Sequence, residues 1–265
     1  MKKIIPIIIG IILIITIIVK KNTKNDIKEI NEFENIPLYK KELQKEYELF
    51  KKNTNFENKK IVLYVNIGLN KPFYEGTHPS KYLNTNYILV NKYNYLTKNY
   101  IPKNLVILDE YSIPGLRLNK EAYESFKKMS RDAQKNGLNL RIISAYRSFE
   151  YQENLYNKYL KYDNKEIVDT YSARAGYSEH QTGLTIDIDN KRQDYNKFHL
   201  TEEFTWMQSN AYKYGFILRY PKDKEFITGY KYESWHYRYV GYLIANYIHE
   251  HDITFEEYYY TFIDK

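Results

Sequence analysis

The sequence predicts an α+β fold in which a small antiparallel sheet is flanked by helices. Some segments carry apolar residues at helical spacing, whereas shorter ones are rich in β-branched residues or alternate strictly between apolar and polar residues. These helix and strand candidates mix along the chain without the regular strand–helix–strand order of a parallel sheet. The length of 265 residues suits one domain with appendages.

An apolar run of 16 residues covers positions 4–19, interrupted only by Pro6, Gly10 and Thr16, with two lysines on either side. A membrane-spanning helix needs about 17–25 residues, and the apolar part of a signal peptide about 7–15. No small-residue cleavage site follows the run, which is too uniformly apolar for a buried core helix. We therefore expect an uncleaved signal anchor over 1–21, a single transmembrane helix that holds the protein in the cell membrane.

Residues 22–84 are predicted to form a stalk and N-terminal extension, rich in Lys, Glu and Asn. The segment is expected to be partly helical, either as a free stalk or as a helix packed loosely on the body. Within it, the stretch 61–67 (IVLYVNI) has the β-branched composition of a strand. Residues 87–90 and 106–108 are further short strand candidates.

The segment 119–136 has the pattern of a capped helix. Apolar residues recur at helical spacing from Ala122 to Ala133, Asn119 is the predicted N-cap, and Gly137 is the predicted stop. The next predicted elements are a strand over 140–145 and helices over 149–162 and 166–175.

Residues 184–189 alternate cleanly between apolar and polar side chains, which predicts a half-buried strand with Thr185, Asp187 and Asp189 on its polar face. The later elements are predicted from the same criteria. They are helices over 202–214, 242–249 and 255–262, and strands over 216–218 and 232–240.

Charge and cysteine content exclude several classes of function. The net charge is +7, but residues 1–60 hold 13 Lys against 8 acidic residues, which leaves 27 basic and 25 acidic residues in the rest. A nearly neutral body without a basic stripe argues against nucleic-acid binding. The chain has no cysteine, which excludes a thiol nucleophile, disulfides and any Cys-ligated metal centre. A bound metal must therefore rely on His, Asp or Glu.

Two short stretches supply a possible metal centre. His180 stands before a turn that contains Gly183, and Asp187 follows on the polar face of the predicted strand, while Glu233 and His236 lie three residues apart. A catalytic zinc needs three protein ligands, an open position and a nearby carboxylate, and this inventory matches. Taken alone the spacings are weak evidence, because six histidines produce chance pairs. On a regular strand, moreover, the two ends of Glu-x-x-His would face opposite ways. The other histidines (His78, His199, His249 and His251) are interpreted as surface or core residues.

Several longer motifs occur in a fixed order: ISAYRS at 143–148, Gln152, GYSEHQTG at 176–183, Asp187, and ESWHYRYVG at 233–241. In this order they strongly resemble the zinc D-alanyl-D-alanine carboxypeptidases of the VanY type. That family shares a fold group with L,D-carboxypeptidases, D,D-dipeptidases and hedgehog-like domains. The resemblance covers about 87–248 and implies a zinc peptidase domain over 85–265. Ser234 departs from the pattern, because many members have Pro there.

The resemblance implies a role for each matching residue. His180, Asp187 and His236 would bind one Zn²⁺ ion, and Glu233 would be the general base for the water at the zinc and then the acid for the leaving amine. Arg147 would stabilise the oxyanion or polarise the scissile carbonyl. The remaining implied residues are in the substrate site: Gln152 and Ser178, which line it and are candidates for holding the terminal carboxylate, and Trp235, which packs beside the metal. A nucleophilic Ser178 is not indicated, because no G-x-S-x-G elbow surrounds it.

The expected function is therefore that of a membrane-anchored zinc D,D-carboxypeptidase, which removes the C-terminal D-alanine from peptidoglycan stem peptides. Because this substrate lies outside the cytoplasmic membrane, the catalytic domain is expected to be extracellular, and the protein is expected to be a monomer. Two alternatives stay open: an L,D-carboxypeptidase acting on tetrapeptide stems, since the motifs do not separate the two specificities, and a non-catalytic domain of the same fold that binds the cell wall.

Overall fold

The structure is a computed structural model that describes residues 31–192 and 194–265. Its α-helices are α1 (Gln44–Lys52), α2 (Asn58–Ile67), α3 (Lys120–Lys135), α4 (Phe149–Tyr159), α5 (Lys165–Val168), α6 (Glu202–Asn210), α7 (Glu225–Thr228), α8 (Tyr242–His251) and α9 (Phe255–Tyr258). Its strands are β1 (His78–Pro79), β2 (Asn94–Tyr95), β3 (Leu105–Ile107), β4 (Arg117–Asn119), β5 (Arg141–Ser144), β6 (Thr185–Asp189), β7 (Phe216–Leu218) and β8 (His236–Tyr239).

The predicted signal anchor over 1–21 lies outside the described residues. Within the described ranges, no helix combines the length and the apolar character needed to cross a membrane.

A four-stranded antiparallel sheet in the order β5-β6-β8-β7 forms the centre of the domain. Two small two-stranded sheets, β1-β2 and β3-β4, lie outside it. In the central sheet, Asp187 of β6 pairs with His236 of β8 on one side and with Ser144 of β5 on the other. Helices and a small antiparallel sheet together confirm the predicted α+β class.

Two apolar clusters hold the elements together. The first packs α3 against the central sheet and includes Phe126, Met129, Ile186 and Ile188, all fully buried. The second joins the segment 31–69 to the C-terminal helices, and its members include Phe33, Tyr47, Ile61, Val240 and Phe255. The segment 31–69 is therefore packed on the body through a shared core. The boundary predicted between residues 84 and 85 stays a prediction.

The stretch 61–67, predicted as a strand, is instead the greater part of helix α2. Five of its residues (Ile61, Val62, Tyr64, Val65 and Ile67) are buried. A helix that is buried on most sides carries apolar residues nearly without interruption, and periodicity cannot distinguish such a run from a buried strand. The β-branched composition is a weak preference that packing against α1 and the C-terminal helices overrides.

The α3 prediction is confirmed at both ends. The Asn119 side chain accepts hydrogen bonds from the backbone N–H groups of Glu121 at 2.9 Å and Ala122 at 3.4 Å. These bonds satisfy donors that an uncapped helix leaves unpaired. After the helix, Gly137 has a φ of +76°, the left-handed conformation that glycine adopts most easily.

Other predicted elements are shorter than expected or differ in kind. Residues 87–90 form no strand; the carbonyl of Ile88 accepts a hydrogen bond from the Arg238 side chain at 2.7 Å. The helix predicted over 166–175 ends at Val168. Strand β6 is buried on both faces rather than on one. Asp189 forms an ion pair with Arg141 at the start of β5, and Asp187 forms one with Arg147, which follows β5.

We expect Gly215→Ala to destabilise the protein more than Gly137→Ala. Both glycines have a φ near +77°, so alanine costs about 1–2 kcal/mol of backbone strain at either position. A Cβ on Gly215 would lie 2.7 Å from the Tyr239 ring, whereas one on Gly137 meets no heavy atom within 4 Å. Overpacking adds about 1–3 kcal/mol at Gly215 only. Urea unfolding of both variants measures the difference, and equal losses would contradict the steric argument.

Candidate metal centre

Three side chains that are distant in sequence meet beside the central sheet. His180 lies on the one-turn 3-10 helix Glu179–Thr182, Asp187 in the middle of β6, and His236 at the start of β8. The β6–β8 register places Asp187 opposite His236, and Gly183, with a φ of +68°, allows the tight turn that leads from His180 into β6. One ligand atom from each residue lies within 4.8 Å of the others.

The distances suit a metal held between the three side chains. The Nε2 atom of His180 is 3.4 Å from Oδ2 of Asp187, and the Nδ1 atom of His236 is 3.2 Å from Oδ1. All three residues are buried, and Oδ1 of Asp187 has no hydrogen-bond partner among the described residues. Two imidazoles and one carboxylate form a donor set that Zn²⁺ favours, and three protein ligands leave a fourth position open.

His180 is oriented by its other ring nitrogen. Nδ1 lies 2.6 Å from the backbone carbonyl oxygen of Ala145, and donation to that carbonyl directs Nε2 to the metal position. Burial, together with the charge of Arg147, lowers the pKa of His180 to about 4. The imidazole is therefore neutral at physiological pH, which is the form that binds a metal.

The surroundings of His236 favour a positive charge. Its Nδ1 atom lies 3.3 Å from Oε2 of Glu233 in addition to the Asp187 contact. Burial by itself lowers the pKa of His236, but the close contacts with these two carboxylates and their negative charges raise it to about 9. Either a proton or a metal dication at this point would supply the charge that the two carboxylates attract.

Glu233 faces the metal position because the chain turns between it and His236. The N–H of His236 donates to the carbonyl of Glu233 at 3.4 Å, and β8 begins only at His236, so the strand predicted over 232–240 is shorter. On a regular strand, the two side chains would point in opposite directions. Burial raises the pKa of Glu233, which suits a carboxyl group that both takes and returns a proton.

Arg147 brings a permanent positive charge to the same place. Its Nη2 atom donates to Oδ2 of Asp187 at 2.6 Å and to Oγ of Ser144 at 2.8 Å. Its backbone N–H donates to the carbonyl of His180 at 3.2 Å. The guanidinium is therefore held beside the ligand carboxylate at the end of β5. Its action on a substrate oxygen stays a prediction.

The other predicted site residues line one cavity of about 640 Å³ together with the three metal-ligand candidates. The Nε2 group of Gln152 donates to the carbonyl of Ala173 at 2.8 Å, and its Oε1 atom has no partner among the described residues. Oγ of Ser178 accepts from the backbone N–H of His180 at 3.4 Å and so caps the short helix. Trp235 packs edge-on against the Tyr195 ring at 5.1 Å. Their roles in substrate binding stay predictions.

Aromatic residues that sequence reasoning did not select form much of the cavity wall. The buried Tyr220 ring lies 4.7 Å from the His236 ring. Other residues of the wall include five tyrosines and one lysine: Tyr151, Tyr159, Tyr171, Tyr230, Tyr232 and Lys231. Because tyrosine is abundant throughout the chain, with 31 residues, no sequence signal distinguishes these from the others.

We expect the protein to bind one Zn²⁺ ion. The His236→Ala variant should bind it more than about 100-fold more weakly, because loss of a residue that only orients a ligand already costs about 10- to 100-fold in metal affinity. The reason is that only His180 and Asp187 remain as ligands. Competition against a chromophoric chelator measures the affinity. His249→Ala, which changes a histidine of α8 that does not line the cavity, is the control and should bind zinc normally. Unchanged affinity in His236→Ala would refute the assignment.

Comparisons with known proteins agree with this geometry. The family model described as "VanY: D-alanyl-D-alanine carboxypeptidase" matches residues 115–242. The putative carboxypeptidase YodJ of Bacillus subtilis (strain 168) is 43% identical over 182 residues, which are 64% of this chain and 66% of that protein. The bifunctional D-Ala-D-Ala dipeptidase and D-Ala-D-Ala carboxypeptidase VanXYC of Enterococcus gallinarum is 35% identical over 64% of this chain and 91% of its own length.

Solved structures show the same fold. The LdcB LD-carboxypeptidase is 39% identical, with a TM-score of 0.65 over 70% of this chain and 90% of that one. A vancomycin-resistance D,D-pentapeptidase VanY variant from a VanB-type cassette, solved in complex with Zn(II), is 33% identical, with a TM-score of 0.56 over 65% of this chain and 98% of that one. A homologue thus contains Zn(II), and this chain has a His180–Asp187–His236 site that could bind a metal.

The extent of the similarity differs between relatives. This chain spans just under two thirds of the Bacillus protein, at 66%, and 44% of a D-alanyl-D-alanine carboxypeptidase of Enterococcus faecium that is 40% identical. It spans nearly the whole of VanXYC. From the family match, the identity to VanXYC and the geometry of the metal centre, we conclude that this chain belongs to the VanY family of D-alanyl-D-alanine carboxypeptidases.

Proposed function

We propose that this protein is a zinc D,D-carboxypeptidase that removes the C-terminal D-alanine from peptidoglycan stem peptides. The observation that carries the proposal is the convergence of His180, Asp187 and His236 in one cavity with the buried carboxyl group of Glu233 beside them. Family membership adds the class of substrate. A non-catalytic wall-binding domain has no need of a proton-transfer group next to three metal ligands, so the retention of Glu233 supports an enzyme.

The chemistry divides between the metal and the protein. When bound, zinc supplies a Lewis acid that polarises a carbonyl group and makes water more acidic. Glu233 takes a proton from the attacking water as the oxygen bonds to the scissile carbonyl carbon. When the C–N bond breaks, the same carboxyl group returns a proton to the leaving amine of D-alanine. Burial of Glu233 keeps its pKa raised, so the protonated form needed for the second step is accessible.

Arg147 contributes a fixed charge to the same reaction. Negative charge develops on the carbonyl oxygen during attack, and a nearby guanidinium stabilises this charge more strongly in a buried site than in water. Ser144 and Asp187 hold the guanidinium at the cavity, so little reorganisation is needed when the charge develops.

We expect Glu233→Gln to lower kcat by about 10²- to 10⁴-fold, the range found for general acid–base groups. Zinc affinity should stay within a few-fold of the wild type, because Glu233 is not a ligand. Hydrolysis of a synthetic pentapeptide stem, measured together with zinc content, tests both statements. Glu225→Gln, which changes an exposed carboxylate of α7, is the matched control and should behave as the wild type. Full activity in Glu233→Gln would refute the mechanism.

The rival specificity is L,D-carboxypeptidase action on tetrapeptide stems. Its support is the similarity to the LdcB LD-carboxypeptidase, whose TM-score of 0.65 exceeds the 0.56 of the zinc-containing VanY structure. The two reactions differ in the configuration at the residue before the scissile bond. The D,D proposal rests on the family model and on the identity to VanXYC.

We expect the protein to shorten a pentapeptide stem by one D-alanine and to leave the tetrapeptide product intact. Incubation with each stem, followed by mass spectrometry, distinguishes the rivals, with a chelator-treated sample as the control. Conversion of the tetrapeptide to a tripeptide without prior action on the pentapeptide would establish L,D specificity instead.

Location follows from the substrate. We propose that the apolar run over 4–19 anchors the protein in the cell membrane and that the catalytic domain faces the cell wall. Support for this arrangement comes from the position of peptidoglycan outside the membrane. Digestion of intact protoplasts with an external protease tests it, and a catalytic domain that stays protected would contradict it.

A further inference from the structure

Four charged side chains form a fully buried network beside the metal centre: Glu179, Arg219, Arg238 and Glu256. Oε1 of Glu179 accepts from Nε of Arg219 and from Nη1 of Arg238, each at 2.9 Å. Arg219 in turn forms a two-pronged pair with Glu256 of α9, through bonds of 2.9 Å and 2.6 Å. Two positive and two negative charges therefore balance within the core.

The network is connected to the metal ligands through the backbone. Glu179 is the residue immediately before His180 on the same 3-10 turn. The backbone N–H of Arg219 donates to the carbonyl of His236 at 3.1 Å, and Arg238 follows His236 on β8. A shift of either arginine would therefore move the backbone that carries a ligand histidine.

Glu256 is the member of the network that lies outside the segment matched by the family model, which ends at residue 242. A capping box holds its helix, because Thr254 and Glu257 exchange hydrogen bonds between side chain and backbone at the start of α9. The side-chain amide of Asn91 also donates to Glu256, at 3.2 Å. Glu256 therefore has a defined position that does not depend on the metal ligands.

Charge balance links Glu256 to the other three members of the network. Without it, Arg219 and Arg238 would both depend on Glu179, and the core would hold an unpaired positive charge. The second oxygen of Glu179 has no hydrogen-bond partner among the described residues, so the two arginines alone determine where its carboxylate sits. Arg219 would then keep only its bond to Glu179 among the carboxylates, and any adjustment of that pair would act on the turn that carries His180.

We propose that Glu256 is a positioning residue for the metal centre: through Arg219 and Glu179, the C-terminal helix α9 keeps His180 in its metal-binding orientation. The inference rests on the zinc site of the proposed function and does not depend on which stem peptide the protein hydrolyses. The C-terminal helix α9 thus supports the metal centre, although none of its residues lines the cavity.

The test compares Glu256→Gln with Glu257→Gln in the full-length chain. Both changes neutralise a buried carboxylate in α9, but only the first touches Arg219. Zinc affinity by chelator competition, the visible spectrum of the cobalt(II)-substituted protein and thermal unfolding are measured for each. We expect Glu256→Gln to weaken zinc binding by about tenfold, the lower end of the loss found for groups that orient ligands, and to alter the cobalt spectrum. Glu257→Gln should lower the melting temperature and leave the metal readouts unchanged.

A double variant tests the route. If Glu256 acts through Glu179, the Glu179→Gln and Glu256→Gln changes combined should weaken zinc binding by less than the product of their separate effects. Multiplicative effects, or a wild-type zinc affinity and cobalt spectrum in Glu256→Gln, would overturn the inference. Failure of the proposed function has a different signature: the wild type would bind zinc and hydrolyse neither stem, while Glu256→Gln would still bind zinc more weakly.

Discussion

The pairing of β6 with β8 is the constraint on which the rest of the site depends. The antiparallel register places Asp187 opposite His236. The backbone pairing of the two strands therefore positions two metal-ligand candidates, and neither depends on the conformation of a loop. A slip of β8 by one residue against β6 would turn His236 to the other face of the sheet, away from Asp187. The third ligand candidate, His180, lies on the short turn before β6, which Gly183 allows. The carbonyl of Ala145 orients the imidazole of His180.

Burial gives these groups their chemical properties and also makes them costly to hold in place. The same exclusion of water keeps His180 neutral, raises the pKa of Glu233 and strengthens the attraction between Arg147 and the Asp187 carboxylate. Buried charges are tolerated only when they are paired. The domain meets this requirement with Arg147 against Asp187 inside the cavity, and with the network that ends at Glu256 beside it.

Much of the site could be predicted from the sequence, whereas part of the fold could not. The order of motifs, seen as a family resemblance, selected His180, Asp187, His236 and Glu233, which the structure brings together. Taken alone, the spacing of Glu233 and His236 is as weak a signal as that of His180 and Asp187, and the predicted strand over 232–240 does not allow for the turn that brings Glu233 and His236 together. The stretch 61–67 has the composition of a strand and yet forms a helix, because a helix buried on most sides loses the periodicity that identifies helices.

The sequence by itself determined the kinds of chemistry available: without cysteine, only histidine and carboxylate ligands remain for a metal, and local patterns locate the capped helix α3 and strand β6. Only the tertiary structure decided which residues act together. Glu179, Arg219, Arg238 and Glu256 are spread over 78 positions, from 179 to 256, and no local pattern marks them as partners. The physical reason is that propensity and periodicity act between near neighbours in the chain, whereas the pairing of buried charges depends on which elements pack against one another.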